Sequence, residues 1–280
     1  MKIQNEFPRT QVGDISLPRM IAGTNWFLGY SHTSLAKDKF IKTYQTRHRI
    51  AQILTVFLER GIDAVMAPPS LYLEEAIREA EDRSGRGMLR ILTPIFNITP
   101  GGPVESEPEV MFDLCKQLGA RFCLPHQCVI DALVDRRSCS IIDLQKYTSM
   151  IRAREMIPGL STHMPETVIY ADRMDADIET YIQIYNSAGF LMQVEVDWVM
   201  RIIQNARKPV MTIKPLAAGR ILPVVGLAFV WSTLREMDMV TIGTTTPDEA
   251  REVIEISLDL LARRQPENPL QKTRSKKSLE

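Results

Sequence analysis

The chain has little of what builds special chemistry by composition alone. It contains four cysteines, Cys115, Cys123, Cys128 and Cys139, and no pair with C-x-x-C spacing. That leaves no cysteine-ligand pattern for zinc and no disulfide framework, so reduced thiols are expected. No charge of one sign dominates, since Lys and Arg total 34 and Asp and Glu total 34. A dedicated nucleic-acid binder carries a basic excess, so no nucleic-acid partner is expected. No apolar run approaches the ~20 residues that span a bilayer, so no membrane partner is expected. Residues 1–6 lack the charged-then-apolar pattern of a signal peptide, which makes a cytoplasmic location the expectation. No Gly-x-Gly-x-x-Gly follows the first strand candidate, which speaks against an open dinucleotide-binding fold.

What is present is a repeat of short apolar runs and amphipathic helices. Strand candidates fall at 19–23, 64–66, 89–96, 120–124, 157–161, 180–184, 210–213 and 239–242. Helix candidates fall at 46–60, 70–82, 107–118, 141–154, 165–171, 196–205, 223–237 and 246–264. The strands are continuously apolar, as in a sheet buried on both faces. The helices carry the 3.6-residue period, as in Ile50, Ile53, Leu54, Phe57 and Leu58. Ser70 and Thr246 stand at helix starts as caps, and Gly61 and Gly119 stand at helix ends. Eight alternating units predict a closed (β/α)8 TIM barrel, one α/β domain over residues 1–264, followed by a polar tail at 265–280. Residues 24–45 are expected to form a long connection after the first strand, a lid or binding loop carrying Trp26, Phe27 and Tyr30.

Barrel active sites lie where strands end. The polar residues there are Asn25, Ser70, Asn97, His126, His163, Asn186, Lys214 and the run Gly243-Thr244-Thr245-Thr246. Asn25, Trp26, Tyr30, Asn97, His163 and Asn186 are candidates for holding a small-molecule substrate. His126 is a candidate acid or base, and His163 is either a site residue or a cap for the next helix. Burial at the mouth would turn Lys214 into a base, a Schiff-base amine or a phosphate ligand; otherwise it extends out of the barrel to water. Gly219, Arg220, Gly243 and Thr244 follow the last two strands, where barrels often bind phosphate on helix N–H groups. His126 and His163 lack a carboxylate to complete a metal set, so no metal is expected.

Three stretches resemble the aldo/keto reductase family. They are Ile213-Lys214-Pro215-Leu216-Ala217-Ala218-Gly219-Arg220 with Met239–Ala250, then Ile157–Glu166 followed by Tyr181–Asn186, and Pro8–Thr24 near the start. The likeness spans roughly residues 7–262 through the order of strands and helices. It implies a TIM barrel plugged from below by an N-terminal β-hairpin, and hydride transfer from NADPH to a carbonyl. It also implies a tyrosine acid supported by aspartate, lysine and histidine. Carried over by position, the aspartate falls at Met66, the tyrosine at Leu71 with Tyr72 beside it, and the lysine near Pro94. Only His126 matches. Ser161 and Gln183 match the residues that hold the nicotinamide amide. The neighbouring asparagine is Thr162, the stacking ring is Ile213, and the 2′-phosphate ligands are Gly243 and Glu249. Methionine, leucine and proline cannot donate or tune a proton. One reading is therefore an NAD(P)H-dependent reductase of a small carbonyl compound, with a rearranged acid at His126 or Tyr72. A second is a non-redox lyase or isomerase using His126 and Lys214. A third is a catalytically silent, ligand-binding barrel.

Overall fold

A computed structural model describes residues 6–97 and 107–266. The chain opens with an antiparallel hairpin, β1 (Arg9–Val12) and β2 (Ile15–Pro18), turning at Gly13. Four parallel strands follow: β3 (Met20–Gly23), β4 (Ala64–Ala67), β5 (Leu89–Leu92) and β6 (Ala120–Cys123). A small hairpin of β7 (Val134–Asp135) and β8 (Ser140–Ile141) stands apart. The sheet resumes with β9 (Ile157–Pro158), β10 (Leu160–Thr162), β11 (Tyr181–Ile184), β12 (Val210–Ile213) and β13 (Met239–Ile242).

Strand β9 pairs with β6, and β10 pairs with β11. The two are halves of one strand broken at Gly159, so they join the two ends of the sheet into a barrel. A Cβ at Gly159 would lie 2.7 Å from the Thr180 carbonyl oxygen and 2.8 Å from Leu124 Cγ. Only glycine lets the backbone pass this closely.

Helices connect the strands: α1 (Asn25–Leu28), α2 (Leu35–Tyr44), α3 (Arg47–Glu59), α4 (Leu71–Ser84), α5 (Pro108–Gln117) and α6 (Gln127–Ile130). They continue with α7 (Leu144–Arg152), α8 (Glu166–Arg173), α9 (Val196–Asn205), α10 (Pro223–Thr233) and α11 (Pro247–Leu261). Side chains alternate across each strand. The inward set, including Ile21, Met66, Ile91, Phe122, Ile182, Met211 and Met239, packs on Val12 and Leu17 of the hairpin. Arg9 and Thr10 bond to Gly61 and Met237, just ahead of β4 and β13, so the hairpin closes the N-terminal end of the barrel. The opposite mouth is left for a site.

Besides the break at Gly159, and the end of α10 at Thr233 where the helix was expected to run to 237, the fold differs from the sequence reading as follows. The strand expected at 89–96 stops at Leu92, because Pro94 has no N–H to continue the ladder. The helix expected from 141 starts at Leu144, because Ile141 is paired with Val134. The connection at 24–45 holds two helices: Ser34 Oγ caps Lys37 N–H at 3.2 Å, and Ile41 turns inward. No helix among the described residues is long and apolar enough to cross a membrane. From residue 267 onward the expected polar tail lies outside the described residues.

Candidate active site

All barrel strands run the same way, so their C-terminal ends share one mouth. A cavity of about 820 Å³ opens there. Its floor carries Met66, Ser161, Ile182, Ile213 and Thr241; His126 and His163 rise from one side. Asn25, Trp26, Tyr30 and His32 wall it from the α1–α2 segment, and Lys214, Pro215, Leu216, Ala218 and Gly219 wall it from the segment after β12. Trp26 can pack over the last strand because residue 243 is glycine: a Cβ there would lie 2.8 Å from the indole Cδ1.

Lys214 is the centre of a basic cluster. Its Nζ lies 3.2 Å from His32 Nε2, and Asn25 Nδ2 reaches the same nitrogen at 3.2 Å. Both partners are donors, so His32 Nε2 accepts and the neutral ring carries its hydrogen on Nδ1. Arg220 holds the segment down by donating to the His32 carbonyl at 3.4 Å and stacking 4.1 Å over Phe190. Lys214 and His32 both adopt left-handed backbone, with φ of 61° and 55°. A non-glycine residue there gives up roughly 1–2 kcal/mol, and such strain gathers at sites that need a fixed geometry.

The imidazoles are neutral. His126 Nδ1 accepts from Cys128 N–H at 3.4 Å and lies 3.1 Å from Cys128 Sγ, which leaves an Nε2–H as the ring's free donor. Burial, reinforced by the Lys214 charge, lowers the His126 pKa to about 4. Burial also lowers His163 to about 3, with Lys214, His126 and His32 adding to it. The His163 backbone N–H is held by the Asp131 carboxylate at 3.1 and 3.3 Å. Burial lowers Lys214 to about 8. Near neutrality the mouth thus holds uncharged rings around the Lys214 amine, which burial makes easily deprotonated.

This has a consequence for stability. In the unfolded chain both histidines ionise near ~6.5. Between that value and about 4 the unfolded chain binds more protons than the fold, so stability rises with pH across this window. Acidification from neutrality is expected to destabilise the protein. The fall in urea midpoint should be shallower in a His126→Gln, His163→Gln double variant; identical slopes would contradict the buried, neutral assignment.

The remaining sequence candidates separate into those at the cavity and those outside it. Ser161, Gly219, Gly243 and Thr244 line it, as do Asn25, Trp26 and Tyr30. Tyr72 does not: its hydroxyl donates to the Gln45 carbonyl at 3.1 Å on the outer side of α4. Asn97 donates to Tyr147 Oη at 3.1 Å, towards α7. Asn186 is fully buried and bonds both N–H and C=O of Phe190, which shapes the loop after β11. Arg220 braces the rim instead of lining the cavity. Gln183 lies between Tyr181, bonded to Asp172, and Tyr185, bonded to Thr233. Period-two alternation puts all three on the helix-facing side, and Ile182 takes the inward position. The buried Gln183 amide has no partner among the described residues. The first turn of α11 already holds a carboxylate: Glu249 Oε2 accepts from Thr245 N–H and Oγ1, each at 2.6 Å. Sequence reasoning missed His32, which no local motif marks, because the α1–α2 segment must fold back across the barrel to reach Lys214. Among the described residues, no trio of His, Cys, Asp or Glu is placed to hold a metal ion.

No family model matches the chain, and no curated protein matches it in sequence. Solved structures do match its shape. A protein from Pseudomonas aeruginosa assigned to the aldo-keto reductases is 15% identical with a TM-score of 0.64, over 93% of this chain and 100% of that one. An aldo/keto reductase from Brucella melitensis is 12% identical with a TM-score of 0.58, over 92% and 98%. An aldo-keto reductase from Klebsiella pneumoniae, solved with NADPH, is 16% identical with a TM-score of 0.57, over 96% and 98%. The chain therefore shares its (β/α)8 barrel fold with these proteins, the fold that the sequence resemblance implied.

Proposed function

We propose that this barrel is a non-redox enzyme of small carbonyl compounds, of the isomerase or lyase type. The observation that carries the reading is the meeting of His126 and Lys214 in one cavity. The neutral His126 ring is a poor proton donor but a good hydrogen-bond donor. Its Nε2–H polarises a carbonyl and stabilises the negative charge that gathers on oxygen as an α-hydrogen leaves. A fixed donor at a half-buried position stabilises such charge more than water does. Lys214 supplies positive charge when protonated and is the strongest base of the cluster once it is not. Ser161 adds a hydroxyl on the floor, and Trp26 and Tyr30 give apolar walls that favour a small organic ligand.

The side chains do not fit NADPH. Gln183, which would grip the nicotinamide amide, faces the helices, and Ile213 stands where a ring would stack. Glu249 fills the first turn of α11, and Glu252 lines the same end of the cavity, where a 2′-phosphate would require positive charge. The reductase reading keeps one specific support, Ser161 in the cavity of a barrel shared with a protein solved with NADPH. Titration separates the two readings. Added to the protein, NADPH is expected to show no saturable change in nicotinamide fluorescence up to millimolar concentration. Micromolar binding with hydride transfer to an added aldehyde would overturn the non-redox reading.

A further inference from the structure

We propose that Lys214 is a nucleophile that forms a Schiff base with the substrate carbonyl. The inference rests on the carbonyl reading above and deepens it, because a bound carbonyl could also be processed without a covalent bond.

A lysine removed from water is normally paired with a carboxylate. No ion pair to Lys214 exists among the described residues, and burial lowers its pKa to about 8. Its partner is His32 Nε2, a lone pair that accepts a hydrogen and brings no negative charge. Such a setting does not lock the ammonium form as a carboxylate would. The left-handed turn at residue 214 places the side chain at the end of β12, inside the same cavity as His126 and His163. His32 itself lies at the exposed rim, so a proton passed to it can leave to water.

The chemistry balances with these groups alone. Lys214 ammonium gives one proton to His32, and its freed lone pair attacks the carbonyl carbon. The C=O π pair moves to oxygen, where His126 Nε2–H holds it, and the oxygen becomes the carbinolamine hydroxyl by taking a hydrogen from nitrogen. The C–O bond then breaks as the proton returns from His32, and the oxygen leaves as water. Overall, ammonium and carbonyl become iminium and water, with no oxidant or reductant consumed. The iminium acidifies the neighbouring C–H or C–C bond, which is what an isomerase or a lyase requires.

Trapping tests this directly. The full-length protein is incubated near neutral pH with glycolaldehyde, propanal or dihydroxyacetone and sodium cyanoborohydride, which reduces the iminium to a stable amine. Adducts are located on each lysine by peptide mass spectrometry. Lys214 is expected to be labelled at least about tenfold faster than any surface lysine, whose amine is held protonated by a pKa near ~10.4. The wild-type protein alone answers the question, so it does not depend on a variant that folds. His32→Gln is expected to slow labelling of Lys214 and leave surface lysines unchanged. Adducts spread over surface lysines with Lys214 untouched would overturn the proposal. If the same carbonyl compounds still exchange their α-hydrogens in that case, the carbonyl reading stands and only the covalent step fails. If neither exchange nor a Lys214 adduct is seen, both fail.

Discussion

Replacing His126 with alanine is expected to lower turnover of a small carbonyl compound by about 10²–10³-fold, the usual cost of one lost oxyanion donor. The loss should fall on the rate constant more than on binding, because the hydrogen bond strengthens as charge develops on oxygen. The variant should fold. His126 is half-buried at the start of the short helix α6, and its ring bonds only to Cys128, at the N–H and the Sγ, among the described residues. His126→Gln keeps a donor near the same place and should recover part of the rate. An unchanged rate in His126→Ala would remove the ring from the chemistry and favour a silent, ligand-binding barrel.

The second large effect concerns the opposite end of the barrel. Asp238→Ala is expected to cost about 3–5 kcal/mol, because it strands a charge that has lost its partner. Asp238 has no exposed surface. One carboxylate oxygen accepts from Val210 N–H at 2.9 Å and Arg235 Nη2 at 2.7 Å; the other accepts from Arg235 N–H at 3.0 Å and Nε at 2.8 Å. The same guanidinium reaches the Ala206 and Lys208 carbonyls, and Arg19 bonds the Arg235 and Asp238 carbonyls. These bonds tie β3, β12 and β13 together below the core. Against a typical total of about 5–15 kcal/mol, the loss is a large share of the stability. Urea unfolding measures it, and Asp238→Asn, which keeps some of the hydrogen bonds, should lie between the two. A shift under about 1 kcal/mol would show that water or a rearranged Arg235 replaces the lost carboxylate.

The barrel could be read from the sequence because its signals are local. Apolar runs such as Val210–Ile213 and Met239–Ile242 are strands in the structure, and Ser70 and Thr246 cap their helices as expected. The rule that sites lie at strand ends singled out His126, His163 and Lys214, and all three line one cavity together with Ser161, which the family resemblance had picked out. The same rule overreached at Asn97 and Asn186, since standing after a strand does not decide whether a side chain turns to the mouth or to a neighbour. Gln183 shows how small the margin is. A shift of one residue along a strand exchanges the two faces, so Ile182 and not Gln183 meets the cavity. Tyr72 fails through the rotation of about 100° that separates adjacent helix positions. His32 lay beyond sequence reasoning altogether, because its partner is 182 residues away and the contact exists only once the α1–α2 segment has folded over the mouth.

The central claim is that this mouth activates a carbonyl compound without a hydride donor. The most direct measurement is exchange of α-hydrogens for deuterium, followed by proton NMR in deuterated buffer. The protein is mixed with glycolaldehyde, propanal or dihydroxyacetone, and no nucleotide is added. Exchange above the buffer rate is expected for at least one compound, rising as pH increases towards the Lys214 pKa of about 8 and largely lost in His126→Ala. Buffer-rate exchange for all three, together with NADPH-dependent reduction of any of them, would contradict it.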